Sequence, residues 1–264
     1  MTRRDDYTGL AAVAWELFSG SDPGRDHSFF ENILQARPGR SLTVGCGTGR
    51  LLLPLLEGGY DIEGVEPSAD MRAILHRAAA SRFLQPVVYD QLMQTLDLPH
   101  TYQTILVPCG SFQLVTDRLE AFEALRRFHA HLEPGGLLVL TIANMLGVFG
   151  VTLEEPGDWG LRARQPLPDG TELEKHARLD HIDKLDQSLG STLRYRRMRG
   201  SDIVEEEFCN GDMRWYVMHE LTLMLQLVGF SEVRVTGAYT DAAPTDSDDV
   251  LCFLATRKLF DPSE

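Results

Sequence analysis

Apolar positions along the chain change their period several times, and each change marks an element. Between residues 8 and 35, Ala11, Ala14, Trp15 and Phe18 recur at helical spacing. After a turn at Ser21-Asp22-Pro23-Gly24, a second helix carries Phe29, Phe30, Ile33 and Leu34. From Ser41 the period falls to two: Leu42, Val44 and Cys46 alternate with their neighbours until glycines interrupt. The pattern then predicts a helix over 50–57, a strand over 60–65, a helix over 69–80, and strands over 84–89 and 104–108. Asp117 reads as the N-cap of a further helix, with Glu120 three residues on, and Phe122, Leu125, His129 and Leu132 fall on one face. Pro134-Gly135-Gly136 stops that helix and leads into a fifth strand over 137–142. Strands alternating with helices predict a parallel sheet with right-handed crossovers.

The alternation breaks after Asn144. Residues 145–160 are glycine-rich and loop-like, and 161–212 lack a helical period. Strand-like stretches over 171–179, 191–198 and 203–208, separated by Asp-Gly, Leu-Gly and Arg-Gly-Ser turns, predict an antiparallel β-insertion. A helix resumes over 218–228, with Gly229 at its C′ position, and strands over 233–238 and 250–256 close the chain. The expected fold is therefore α/β, a seven-stranded mostly parallel sheet with helices on both faces, plus the antiparallel insertion. Four segments follow: an N-terminal helical lid (1–38), a core (39–145), the β-rich insertion (146–213), and a helix and hairpin completing the core sheet (214–264).

Composition narrows the partners. The net charge of −14 repels phosphate backbones, so no nucleic-acid substrate is expected. No apolar run approaches the ~18–20 residues of a membrane-spanning helix. The charged start MTRRDDYTGL lacks an apolar signal region, so a cytoplasmic protein with no membrane partner is expected. Cys46, Cys109, Cys209 and Cys252 have no CxxC spacing, which predicts reduced thiols rather than a disulfide framework, and no metal site. Only Lys175, Lys184 and Lys258 are lysines, the remaining basic residues being arginine, a bias expected of a GC-rich bacterial genome.

Chemistry concentrates in Thr43-Val44-Gly45-Cys46-Gly47-Thr48-Gly49-Arg50, which follows a strand and opens a helix. Glycines are needed there because the turn is tight and a ligand must approach the backbone closely. The next strand ends at Val65-Glu66, so a carboxylate stands at the same sheet edge, where it can accept from both hydroxyls of a ribose. Turn and carboxylate together predict an adenosine-containing ligand. The spacing is GxGxG, with Arg50 where a dinucleotide fingerprint has its third glycine, so the loop is a poor nicotinamide or flavin signature.

LTVGCGTGR followed by YDIEGVEPSADM resembles motifs I and II of class I S-adenosylmethionine (SAM)-dependent methyltransferases. The likeness continues through Val88-Tyr89-Asp90, residues 105–112 and Leu132-Glu133-Pro134-Gly135-Gly136, spanning roughly 40–145, and the tail from Arg214 resembles the end of small-molecule members. The resemblance implies a Rossmann-like core with SAM as cofactor. It implies that Gly45, Cys46, Gly47 and Gly49 wrap the methionine and ribose. Glu66 would hold the ribose, Met71 and Pro67 would pack on adenine, and Asp90, with Gln91 beside it, would accept from the adenine amino group. Pro108, Cys109 and Gly110 would line the methyl-transfer site. Many members carry an acidic residue where this chain has Thr43, and that carboxylate helps fix the methionyl end.

The function implied is methyl transfer to a small-molecule N or O acceptor by in-line displacement, which needs alignment and dryness more than a fixed catalytic signature. Tyr7, His176 and His219 are candidate catalytic side chains, with Trp15, His181, Tyr195 and Trp215 as further acceptor-side candidates. The plain alternative for each is core packing for Tyr7 and Trp15, a solvated strand face for His176 and His181, and packing or surface for His219. Two other readings stay open: an NAD(P)-dependent oxidoreductase, and a non-catalytic SAM-fold binding or regulatory protein. The insertion is a candidate surface for pairing two subunits in a homodimer.

Overall fold

A computed structural model describes residues 7–19, 24–144 and 157–259 of the 264-residue chain. Five parallel strands run through its centre: β1 (Ser41–Val44), β2 (Ile62–Val65), β3 (Val88–Tyr89), β4 (Tyr102–Val107) and β5 (Leu132–Ala143). Two later strands, named below, extend it beyond β5, the nearer antiparallel to β5 and the outer antiparallel to the nearer, giving a seven-stranded sheet. Helices pack on both faces. α5 (Arg118–His131) and α6 (Met218–Leu227) cover one face, burying Phe128, Leu125, Leu221 and Leu225 against Leu42, Ile105 and Leu138. α2 (Gly24–Ala36), α3 (Leu52–Glu57) and α4 (Ala69–Ser81) cover the other, where Phe30, Leu53 and Leu75 meet Leu106 and Val139. Two-sided burial explains the continuous apolar runs over 105–107 of β4 and 137–140 of β5.

The insertion is a second, antiparallel sheet of β6 (Gly160–Pro166), β7 (Glu172–Asp183), β8 (Ser188–Arg199), β9 (Asp202–Asn210) and the short β10 (Met213–Arg214). The chain then enters α6 and returns through β11 (Phe230–Gly237) and β12 (Val250–Arg257), which complete the central sheet in the order β11-β12-β5-β4-β1-β2-β3. α1 (Gly9–Ser19) packs Leu10, Ala11 and Ala14 against Leu173 and Tyr195 of the second sheet. Arg214, buried, donates to Thr116 O and Asp186 Oδ2, both at 2.8 Å, tying the second sheet to the core.

Several expectations need correction. The Leu189-Gly190 pair is no turn: Gly190 lies inside β8 opposite His181, and a side chain there would overlap that imidazole, so the glycine makes room for a cross-strand neighbour. The turn instead occupies 184–187. The helix before Pro134 ends at His131, and Pro134-Gly135-Gly136 lie within β5 at a bulge between Tyr102 and Thr104 of β4. Only Val88–Tyr89 of the 84–89 run pairs. β6 and β10 carry no clear alternation and were not expected. Asp117 does cap α5, accepting from the N–H groups of Leu119 and Glu120, but the Glu120 carboxylate accepts from Gln94 rather than returning to the cap. The turn expected at 21–23 and the loop expected over 145–156 lie outside the described residues.

Gly49 carries the close contact of the glycine turn with α3 and α4. Its φ is +92°, and a Cβ would sit 2.9 Å from Leu53 Cγ and 3.0 Å from Leu75 Cγ. Gly49→Ala is expected to destabilise by about 2–5 kcal/mol, combining left-handed strain with overpacking. Urea denaturation checks this, and an unchanged midpoint contradicts it.

Candidate active site

Because β1, β2, β3 and β4 are parallel, the turns that follow them emerge at one edge of the sheet. They surround a cavity of about 470 Å³, within the roughly 300–1,000 Å³ of small-molecule sites. Gly45 and Gly47 form one wall, with φ of +70° and +56°. These angles suit glycine, and bare backbone faces the cavity where side chains would intrude: a Cβ on Gly45 would lie 2.8 Å from Ser111 Oγ.

Glu66 directly follows β2 and is 7% exposed. Its Oε2 accepts from Gly47 N–H and its Oε1 from Ser68 N–H, each at 2.9 Å. The carboxylate therefore spans the glycine turn and the start of α4. A carboxylate accepts about four hydrogen bonds, so bracing the turn and binding a ligand are compatible. Ser68 caps α4 through Met71 N–H (3.3 Å), and its hydroxyl donates to the carbonyl of Tyr7 (2.5 Å). α1 is held above this corner: Gly9 N–H donates to Asp70 Oδ2 and Leu10 N–H to Glu207 Oε2, both at 2.7 Å. Carboxylates suit the electropositive start of a helix, and these two come from the core and from the second sheet.

Each expected site residue has a definite place. Pro67, Met71, Asp90 and Gln91 line the cavity together with Glu66. Asp90 is exposed at the rim, held by a two-pronged pair with Arg72 (2.7 and 2.8 Å), which also donates to Glu66 O (2.6 Å). Gln91 is fixed by both hydrogen bonds of its amide to Asp97 (2.7 and 3.0 Å). Cys109 and Gly110 line the cavity as well, both at left-handed φ (+55° and +70°). Tyr7 and Trp15 cover the opening, their rings edge-to-face at 5.5 Å, with Trp15 Nε1 3.4 Å from where a Gly47 Cβ would stand. Cys46, Gly49 and Pro108 are not among the lining residues; the Cys46 thiol is buried above Gly64, and burial pushes its pKa up.

The remaining candidates lie elsewhere. His176 pairs with Glu174 (2.8 Å) on β7, and His181 packs on Gly190. Tyr195 and Trp215 are buried in packing clusters, and His219 is exposed on α6. Thr43 is fully buried in the sheet rather than lining the cavity, and among the described residues its hydroxyl has no partner. Arg50 pairs with the buried Asp26 of α2, while Gly49 makes the close approach to Leu53 and Leu75. Ser68, Leu92, Met93, Ser111, Leu114 and Met213 line the cavity without having been expected. Ser68 had a readable signal, an N-cap serine ahead of Ala-Asp, whereas Met213 reaches the cavity only because the second sheet folds over the core.

Comparison with known proteins accords with this geometry. A family model described as "Methyltransferase domain" matches residues 24–235. The chain is 29% identical over 141 residues to a dTDP-3-amino-3,6-dideoxy-alpha-D-glucopyranose N,N-dimethyltransferase of Streptomyces fradiae, covering 51% of this chain and 54% of that one. It shares its fold with the CcbJ methyltransferase of Streptomyces caelestis (TM-score 0.77, 23% identity, 96% of this chain and 98% of that one). The sugar N-methyltransferase KedS8 of Streptoalloteichus sp ATCC 53650 has the same fold (TM-score 0.72, 21% identity, 98% and 97%).

Glu66→Gln replaces one acceptor by an amide N–H facing a buried backbone N–H. It is expected to cost about 1–3 kcal/mol in urea denaturation. Wild-type stability would show that the carboxylate does not brace the turn.

Proposed function

The chain belongs to the methyltransferase-domain family and its cofactor is S-adenosylmethionine; from there we propose that it methylates a small molecule at an amine nitrogen or a hydroxyl oxygen. The observation that carries the reading is the meeting of the glycine turn and Glu66 in one cavity, which the turn after β4 also lines.

Bound there, the cofactor would supply a methyl group on a sulfonium, transferred in line to the acceptor nitrogen or oxygen as the carbon–sulfur bond breaks, with S-adenosylhomocysteine released and the acceptor's proton lost to solvent. The protein's part is binding, alignment and exclusion of water. Gly45 and Gly47 admit the methionine and ribose against bare backbone. Glu66 accepts from the ribose hydroxyls. Met71 and Pro67 pack on adenine, and Asp90 at the rim accepts from its amino group. Cys109 and Gly110 border the end from which the methyl departs, while Tyr7 and Trp15 close the N-terminal side. On this reading residues 1–38 act as a lid, 39–145 bind the cofactor, 146–213 cover the acceptor side and 214–264 complete the sheet.

An amino sugar is the acceptor class tried first, since the Streptomyces fradiae relative and KedS8 are named for such substrates. No helix among the described residues is long and apolar enough to cross a membrane, and none of the four cysteines forms a disulfide; a cytoplasmic location is part of the proposal. So is pairing of two subunits through the second sheet, where Leu161, Ile203, Val204 and Phe208 are about half exposed.

Calorimetric titration with SAM, S-adenosylhomocysteine and NAD separately tests the reading, followed by assay of labelled-methyl transfer to amino-sugar nucleotides, small amines and phenols. Saturable binding of the first two, none of NAD, and transfer to one acceptor class are expected. Binding of NAD alone would refute the assignment, and SAM binding with no transfer to any acceptor would favour a regulatory protein.

A further inference from the structure

Arg50 begins where the glycine turn ends, and its guanidinium joins two other parts of the molecule. Nη1 and Nη2 donate to Asp26 of α2 at 2.8 and 2.5 Å, and Nη2 donates to Cys109 Sγ at 3.1 Å. Asp26 is 4% exposed, and its Oδ2 lies 3.9 Å from the same sulfur. A two-pronged pair with a buried carboxylate fixes the guanidinium plane, which lysine could not do. Three regions distant in sequence thus converge on one side chain: α2, the glycine turn and the turn after β4.

The contact matters because of the backbone it holds. Cys109 adopts φ +55°, a conformation that a residue with a side chain keeps only when its surroundings enforce it. Ser111 follows within the same turn, its hydroxyl on Pro108 O at 2.8 Å, and sits against Gly45 with no room to spare. A turn that relaxed at Cys109 would move Ser111 and reshape both walls of the cavity together.

We propose that Arg50, aimed by Asp26, is a positioning residue that grips the Cys109 thiol and so holds the turn after β4 as a wall of the cofactor cavity. The proposal rests on the reading of that cavity as a SAM site. Arg50 touches no reacting atom in this scheme; it acts through Cys109.

A double-mutant cycle read by S-adenosylhomocysteine calorimetry on the full chain tests it. Glycine accepts φ +55° without strain, so at position 109 the turn no longer needs a grip. Arg50→Gln is expected to weaken binding about tenfold in the wild type and by less than about threefold in the Cys109→Gly background, the signature of two residues acting in series. Asp26→Asn is expected to weaken binding in the wild type and to add nothing to Arg50→Gln. An independent readout is iodoacetamide alkylation of Cys109 against pH, followed by peptide mass mapping. Desolvation holds the Cys109 thiol above its usual range and the Arg50 guanidinium opposes it, so loss of the guanidinium moves the midpoint of Arg50→Gln further upward, and Arg50→Lys falls between the two. An equal loss of affinity in both backgrounds, no loss in either, or an unmoved alkylation midpoint overturns the proposal. Failure of the unmutated protein to bind S-adenosylhomocysteine would instead strike at the function proposed above. Thermal melts of each variant confirm folding, with Arg50→Lys serving in the cycle if Arg50→Gln does not fold.

Discussion

Glu66 stands at the end of β2 with each carboxylate oxygen accepting a backbone N–H, one from the glycine turn after β1 and one from the first turn of α4. That arrangement links two loops that parallel strands have delivered to the same sheet edge. Without an acceptor there, the buried N–H groups of Gly47 and Ser68 would each lack a partner, a cost of about 1–3 kcal/mol apiece. Much of the surrounding architecture is fastened to this point. Ser68 reaches from it to Tyr7, Asp70 holds the start of α1, and Arg72 runs from the Glu66 carbonyl to Asp90.

The cavity is consequently assembled from distant parts of the chain. Its floor is core, its cover is α1, and α1 is clamped at its N-terminus by a carboxylate from α4 and another from β9. The second sheet is no loose appendage: Arg214 joins it to the core, and Leu173 and Tyr195 bury the apolar face of α1. A change in the second sheet therefore has a short physical route to the cofactor edge, through Glu207 and α1 to Tyr7 and Trp15.

What could be read from the sequence follows from how local the determining forces are. The glycine turn and Glu66 were legible because each sits at a strand end in a pattern that short-range geometry dictates. The parallel core was legible because strands alternate with helices along the chain and two-sided burial leaves apolar runs in β4 and β5. Gly190 misled because a glycine that makes room for a cross-strand histidine looks, in sequence, like one that makes a turn. Pro134-Gly135-Gly136 misled for a related reason: a bulge tolerates the residues that usually end an element. Of the aromatic and histidine candidates, only Tyr7 and Trp15 border the cavity, and nothing in their local pattern separated them from His219, which is exposed. Met213 and Ser111 enter through tertiary packing, which no local period records.

The most direct test of the central claim, that the glycine turn and Glu66 serve one adenosine, is a crystal structure of the protein with S-adenosylhomocysteine. Ribose hydroxyls hydrogen-bonded to the Glu66 carboxylate, with the homocysteine end against Gly45 and Gly47, is the result this account requires. A ligand seated elsewhere, for instance in the groove that Phe29, Arg37 and Tyr239 line between α2 and β11, would contradict it.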